Sequence, residues 1–252
     1  MHQFINLKTS RELTLMREAG RISAQALKLA GAAVKPGIST FEIDKIVHDY
    51  IISQGAKPSF KGYDGFPASS CISINDEVIH GIPSRKRIIK NGDIVSIDLG
   101  ACYNGYHGDN AATFAAGEIS PEARRLMDVT EKALFEGISK VSSGGRIGDI
   151  SAAIEGYTTA HGYSVVRKFV GHGVGAGLHE SPEIPNFGKP GRGARLGAGM
   201  TLAIEPMVNA GGADVYIMND GWTVKTADGS LSAHFEHTVA LTDSGRVILT
   251  KT

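Results

Sequence analysis

Shifted by 107 residues, this sequence overlays on itself, and no other feature so narrows the folds open to it. Gly37 and Gly55 fall on Gly144 and Gly162, while Ile43, Val47 and Tyr50 fall on Ile150, Ile154 and Tyr157. Further on, "NGDIVSID" (91–98) falls on "AGMTLAIE" (198–205), so Asp98 and Glu205 share one position of the repeated strand. Two halves are therefore expected, about 1–117 and 118–252, each running from helices into strands.

Local signals place the elements. Thr9 and Glu12 have capping-box spacing ahead of Leu13, Met16, Ile22, Ala26 and Leu29, which predicts a helix that closes at Gly31. Ser39 and Glu42 repeat the spacing, with Gly55 as the stop. Strands are expected over "CISIN", "VIHGIP", "IVSIDLGACY" and "YHGDNAATFAA". Helices then return in "SPEARRLMDVTEKALFEGISK" and "IGDISAAIEGYTTAHG", and strands close the chain.

The stretch "IVSIDLGACYNGYHGDNAAT" (94–113) reads as a buried hairpin that nevertheless carries Asp98 and Asp109. Asn104-Gly105 sets the turn, because a two-residue type I′ loop needs positive φ at both positions. Tyr103 then faces Tyr106, Asp98 faces Ala111, and Asp109 becomes the diagonal neighbour of Asp98 on the same face, with Cβ atoms about 7–8 Å apart or a little less. Buried carboxylates that close resist ionising together unless a cation lies between them, so a divalent metal is the economical occupant. From this hairpin alone, two solvated surface aspartates remain an equal alternative.

Further residues extend the pattern. Glu205 in "MTLAIEPMV" and Glu236 in "SAHFEHTVAL" also interrupt apolar strands, the second beside His234 and His237, and "KFVGHGVGAGLHESPEIP" adds His172 and His179. Taken singly, each histidine reads as a hydrogen-bonded core or surface group. As a set, oxygen donors with one imidazole suit hard or borderline divalent ions, and two such ions about 3.5–4 Å apart form a hydrolytic site. Competing motifs fail: Pro182 and Pro185 oppose the helix that "GHGVGA" would need for a dinucleotide, "HESPE" does not complete HExxH, and no GxSxG occurs.

Charge and cysteine content narrow the partners. The 26 basic and 26 acidic residues cancel, which favours neither nucleic acid nor an anionic membrane and leaves small molecules or peptides. "SRKRIIK" (84–90) reads as a solvated turn. The start lacks the basic head and apolar core of a signal peptide, and no run is long enough to span a bilayer, so an unprocessed protein of the cytoplasm is expected. Cys71 and Cys102, outside any CxxC pattern, are expected as reduced thiols.

Five spaced strings complete the picture: "HGIP", "DLG" with its following "GD", "GHGVG" with "LHE" and a proline, "IEPM", and "FEHTV". Together they resemble the type I, bacterial-type methionine aminopeptidases of peptidase family M24, over essentially the whole chain. The resemblance implies an α+β pita-bread fold in a single catalytic domain, with antiparallel strands backed by helices in two pseudo-symmetric halves. It implies a centre of two divalent ions (cobalt, manganese, iron or zinc) held by Asp98, Asp109, His172, Glu205 and Glu236, with Asp109 and Glu236 bridging. His80 would lie at the substrate's amino end, His179 would polarise the scissile carbonyl, and Glu205 would also shuttle protons. Tyr63, Phe66, Cys71 and Trp222 would wall the methionine slot.

The implied reaction is removal of N-terminal methionine from nascent polypeptides with a small second residue, by attack of a metal-bound hydroxide on the first peptide bond. The implied enzyme is a monomer with transient ribosome contact. Three positions depart from the pattern: His234 stands where glutamine is expected, Leu178 where phenylalanine is common, and Asp64 where histidine is frequent. Prolidase and aminopeptidase P share the fold and a similar ligand set but usually carry a separate N-terminal domain, whereas this chain has room for only two helices ahead of its first long strands. Pita-bread relatives that act as binding modules need not keep the ligands, and all five are present here.

Overall fold

The computed structural model describes residues 4–251. Helix α1 (Ser10–Ala33) begins where Thr9 Oγ1 accepts the Glu12 N–H and the Glu12 carboxylate accepts the Thr9 N–H and hydroxyl. Helix α2 (Thr40–Ser53) opens with the same reciprocal bonds between Ser39 and Glu42. Pro at the first turn starts α3 (Pro121–Ser139) after Ser120, and α4 (Ile147–Ala160) follows Arg146, whose N–H is accepted by Asp149. Helix α1 does not stop at Gly31. A Cβ there would lie 2.1 Å from the Phe114 ring, so this glycine permits close packing, and the helix ends three residues later at its cap, Val34.

Nine strands make the central sheet: β1 (Lys57–Pro58), β2 (Ser70–Ile74), β3 (Ile94–Tyr103), β4 (Tyr106–Ala115), β5 (Gly171–Gly173), β6 (Glu180–Ile184), β7 (Thr201–Ile204), β8 (Glu236–Thr242) and β9 (Gly245–Ile248). The order is β1-β3-β4-β8-β7-β5-β6, with β2 beside β3 and β9 beside β8, and every pairing is antiparallel. The β3–β4 turn has Asn104 at φ 48° and Gly105 at φ 83°, as a type I′ loop requires, and it sets Tyr103 opposite Tyr106 and Asp98 opposite Ala111. The strand expected over "VIHGIP" is shorter, Glu77–Ile79, because His80 turns out of it at φ 60°.

Strand alternation separates apolar from acidic groups. Val95, Ile97 and Leu99 of β3 pack with Ile22, Ala26, Ile43, Val47 and Ile51 of α1 and α2, so Asp98 points to the other face. Leu202 and Ile204 of β7 pack with Leu126, Leu134, Ile150 and Ile154 of α3 and α4, and Glu205 follows. Each such aliphatic side chain, once buried, contributes about 1.5–3 kcal/mol, which is what holds the helices under the sheet. The same spacing of 107 relates α2 to α4 at both ends, the isolated bridge Ser39–Ile88 to Arg146–Arg195, and Gly92 (φ 94°) to Gly199 (φ 90°).

The middle of the sheet has little ladder. Strands β4 and β8 pair only through Glu236–Ala111 and His237–Asn110. Threonines clamp the pair on both sides: Thr238 Oγ1 accepts the Asp109 N–H (3.0 Å) and donates to its C=O (2.8 Å), and Thr113 Oγ1 does the same for His234 (3.0 Å each).

Candidate metal centre

Register alone brings the acids together. Ala111 is the cross-strand partner of both Asp98 and Glu236, so the two carboxylates flank one methyl group on a single face. Asp109 lies two residues along β4 on that same face. Glu205 extends β7 beyond Ile204, the partner of His237, and His172 of β5 faces Ala203. Asp109, His172 and Glu236 each bring one ligand atom within 4.8 Å of the others. Glu205 Oε1 stands 3.5 Å from His172 Nε2, and its Oε2 stands 3.8 Å from His234 Nε2.

The group is short of partners in a way that points to cations. Asp98 Oδ1, Asp109 Oδ1 and Glu236 Oε1 are buried and accept no hydrogen bond from any described residue, and a buried acceptor left so costs about 1–3 kcal/mol. Burial raises the Asp98 pKa to about 8. Burial first, then the neighbouring carboxylate charges, pushes Asp109, Glu205 and Glu236 well above the usual carboxylate range. Burial lowers His172 to about 3, so it presents the neutral imidazole that a metal ligand must be. Four acidic groups and one neutral imidazole therefore fit divalent cations, which would hold the carboxylates ionised.

Every residue the family resemblance assigns to the site lines one cavity of about 250 Å³. The carboxylates and His172 share it with His80, His179, Tyr63, Phe66, Cys71 and Trp222. Cys71 faces Asp98 across the β2–β3 ladder, and burial pushes its thiol up. Phe66 and Trp222 pack edge to face at 5.1 Å, and the His80 ring is T-shaped to both Trp222 (6.2 Å) and Phe169 (5.9 Å). Burial lowers His80 to about 4. His179 Nδ1 meets the Tyr63 hydroxyl at 2.8 Å, and its ring lies 4.2 Å from that of His172.

Some residues of the cavity escaped the sequence. Phe60, Ile79, Phe169 and Val170 line it too, yet no motif or spacing in the sequence distinguishes these apolar side chains as a wall rather than as core. The departures Asp64 and Leu178 are in the lining, with Asp64 left-handed at φ 48°. His234 is buried outside the lining, and neither ring nitrogen has a hydrogen-bond partner among the described residues.

Known proteins share this arrangement. Residues 14–243 match the model of metallopeptidase family M24. The chain is 55% identical to a methionine aminopeptidase of Clostridium perfringens over 98% of both chains. It superposes on the crystal structure of methionine aminopeptidase from Thermotoga maritima with a TM-score of 0.97, at 44% identity, covering 99% of this chain and all of that one. Prolidase from Pyrococcus furiosus shares the pita-bread fold at a TM-score of 0.78 and 26% identity, but only 65% of its length is covered. The chain belongs to metallopeptidase family M24 and, within it, to the methionine aminopeptidases of the bacterial kind.

Proposed function

We propose that the protein removes N-terminal methionine from nascent polypeptides with a small second residue, using two divalent ions held by Asp98, Asp109, His172, Glu205 and Glu236. The observation that carries this reading is the ring of buried, unpartnered carboxylate oxygens at one side of a cavity otherwise walled by Phe66, Cys71, Trp222 and His80. When bound, the ions supply Lewis acidity and a lowered pKa for water. A thioether suits the aromatic and sulfur-bearing wall, since sulfur packs well at ring edges.

The chain's own groups divide the remaining work. His80, neutral and braced edge-on by Trp222 and Phe169, faces the substrate's amino end. His179 has Nδ1 engaged by Tyr63, which leaves Nε2 for the scissile carbonyl and the charge that develops on it. Glu205, raised in pKa and beside His172, takes and returns the proton of the attacking water. Residues 1–117 and 118–252 act as pseudo-equivalent halves of one catalytic domain, monomeric, in the cytoplasm, where transient ribosome contact brings it substrate. Cobalt, manganese, iron and zinc all suit the donor set.

The test is methionine release from Met-Ala-Ser, Met-Lys-Ser and Ala-Pro-Ala after metal removal and restoration with manganese or cobalt. Metal-dependent cleavage of Met-Ala-Ser alone is expected. Cleavage only of Ala-Pro-Ala would make the protein a proline peptidase, and silence on all three would leave a binding module.

A further inference from the structure

The glycine-rich segment between the two site histidines, "GHGVGAGLHE" (171–180), wraps a buried ion pair. Lys8, from the segment just ahead of α1, meets Glu180, the residue after His179, with side chains 5% and 8% exposed. Lys8 Nζ also donates to the Asn6 C=O (3.0 Å), and its backbone N–H donates to the Gly199 C=O (2.7 Å). The second Glu180 oxygen, Oε1, accepts the Gly177 N–H at 2.9 Å. Gly175 lies so close that a Cβ there would be 2.4 Å from Lys8 Cε and 2.6 Å from Glu180 Oε1. Gly175 and Gly177 lie against the pair, whereas Gly171 and Gly173 make room for the backbone of the neighbouring strands.

A charge pair taken out of water persists only where the remaining donors and acceptors of both groups are met, and Asn6 and Gly177 meet them here. Losing either charge leaves the other buried and uncompensated, so the loop must then rearrange to let water in. His172 is held independently by the β5 ladder. His179 lies one residue outside the ladder, just before Glu180 opens β6 opposite Gly173, with Tyr63 on its ring.

We infer that the Lys8–Glu180 pair is a positioning device that fixes His179 against the scissile bond, so that the segment before the first helix governs turnover without touching substrate. The inference rests on the peptidase reading above. It predicts that removing the pair acts on kcat through His179 and leaves the metal ligands in place.

The experiment measures kcat and KM on Met-Ala-Ser, with bound metal, for Lys8→Met, His179→Ala and the double variant, and for Glu180→Gln alone and with His179→Ala. Lys8→Met is expected to lower kcat about 100-fold, as misplacement of a catalytic group by about an ångström does, with metal content unchanged. In the His179→Ala background the same substitution is expected to change kcat by less than about threefold, because the group it positions is gone. Glu180→Gln keeps the volume and the acceptor for Gly177, and about a tenfold loss is expected, again vanishing beside His179→Ala; it carries the test where Lys8→Met does not fold. The inference is overturned if folded variants keep kcat within about threefold of wild type, or if the loss repeats in full without His179. Failure of the wild-type protein to release methionine would overturn the peptidase reading instead.

Discussion

Asp109 does two things with different atoms. Its backbone is clamped by Thr238, while its side chain leaves one oxygen buried and unpartnered beside His172 and Glu236. Asp109→Asn therefore keeps the clamp and the volume while exchanging a ligand oxygen for an amide. Loss of turnover and of bound metal is expected with the fold intact, which metal analysis beside circular dichroism would read. His80 is different: its ring packs edge-on against Trp222 and Phe169. His80→Ala is expected to cut turnover by about 100-fold or more while metal content stays at the wild-type level. His80 also occupies left-handed backbone at φ 60°, which costs a non-glycine residue about 1–2 kcal/mol. That turn was not legible in "VIHGIP", where apolar Val78, Ile79 and Ile82 read as continuing strand. The acids were legible, because a carboxylate in an apolar strand needs a reason.

At the scale of elements, the capping boxes were the clearest sequence signal, and both α1 and α2 begin where they predict. Glu12 has its pKa lowered to about 2, first by the Thr9 N–H and hydroxyl and then by Tyr106. A lowered carboxylate pKa contributes stability that is full above the ordinary value of 4.5 and is lost as pH falls toward 2. The melting-temperature gap between wild type and Glu12→Gln is thus expected to be largest above pH 5 and to shrink in acid. Glycines at close approaches were harder to read, since nothing local marks them. Gly108 of β4 lies against α1 so closely that a Cβ would sit 2.5 Å from the Gly20 N, and Gly108→Ala is expected to cost about 1–3 kcal/mol in denaturant unfolding.

For the whole molecule, removal of metal leaves four acids to one another, Asp109 and Glu236 buried and Asp98 and Glu205 mostly so. Asp98, at about 8 against an ordinary 3.8, stays protonated in the metal-free fold while the unfolded chain ionises. Stability of the metal-free protein is therefore present in acid and lost as pH rises from about 4 through about 8, whereas the loaded protein keeps its carboxylates ionised. The difference in melting temperature between loaded and chelated protein is expected to widen from pH 5 to pH 8, as calorimetry at fixed metal activity would show. The 107-residue spacing runs through both ends of α2 and α4, because the flanking glycines repeat along the chain although the caps, Ser39 and Arg146, do not. It said nothing of how β4 meets β8, since that contact joins strands with no shared local pattern.

That meeting of β4 and β8 has two rungs and two threonines, yet the proposed ligands lie on both sides of it. A slip of one residue would turn Glu236 toward the hydrocarbon layer and carry it out of reach of Asp109. With the proposed ligand set, only the correct alignment would offer a cation its full set of oxygens, so uptake of an ion would select that alignment from its neighbours. Such a centre would proofread the strand pairing that creates it.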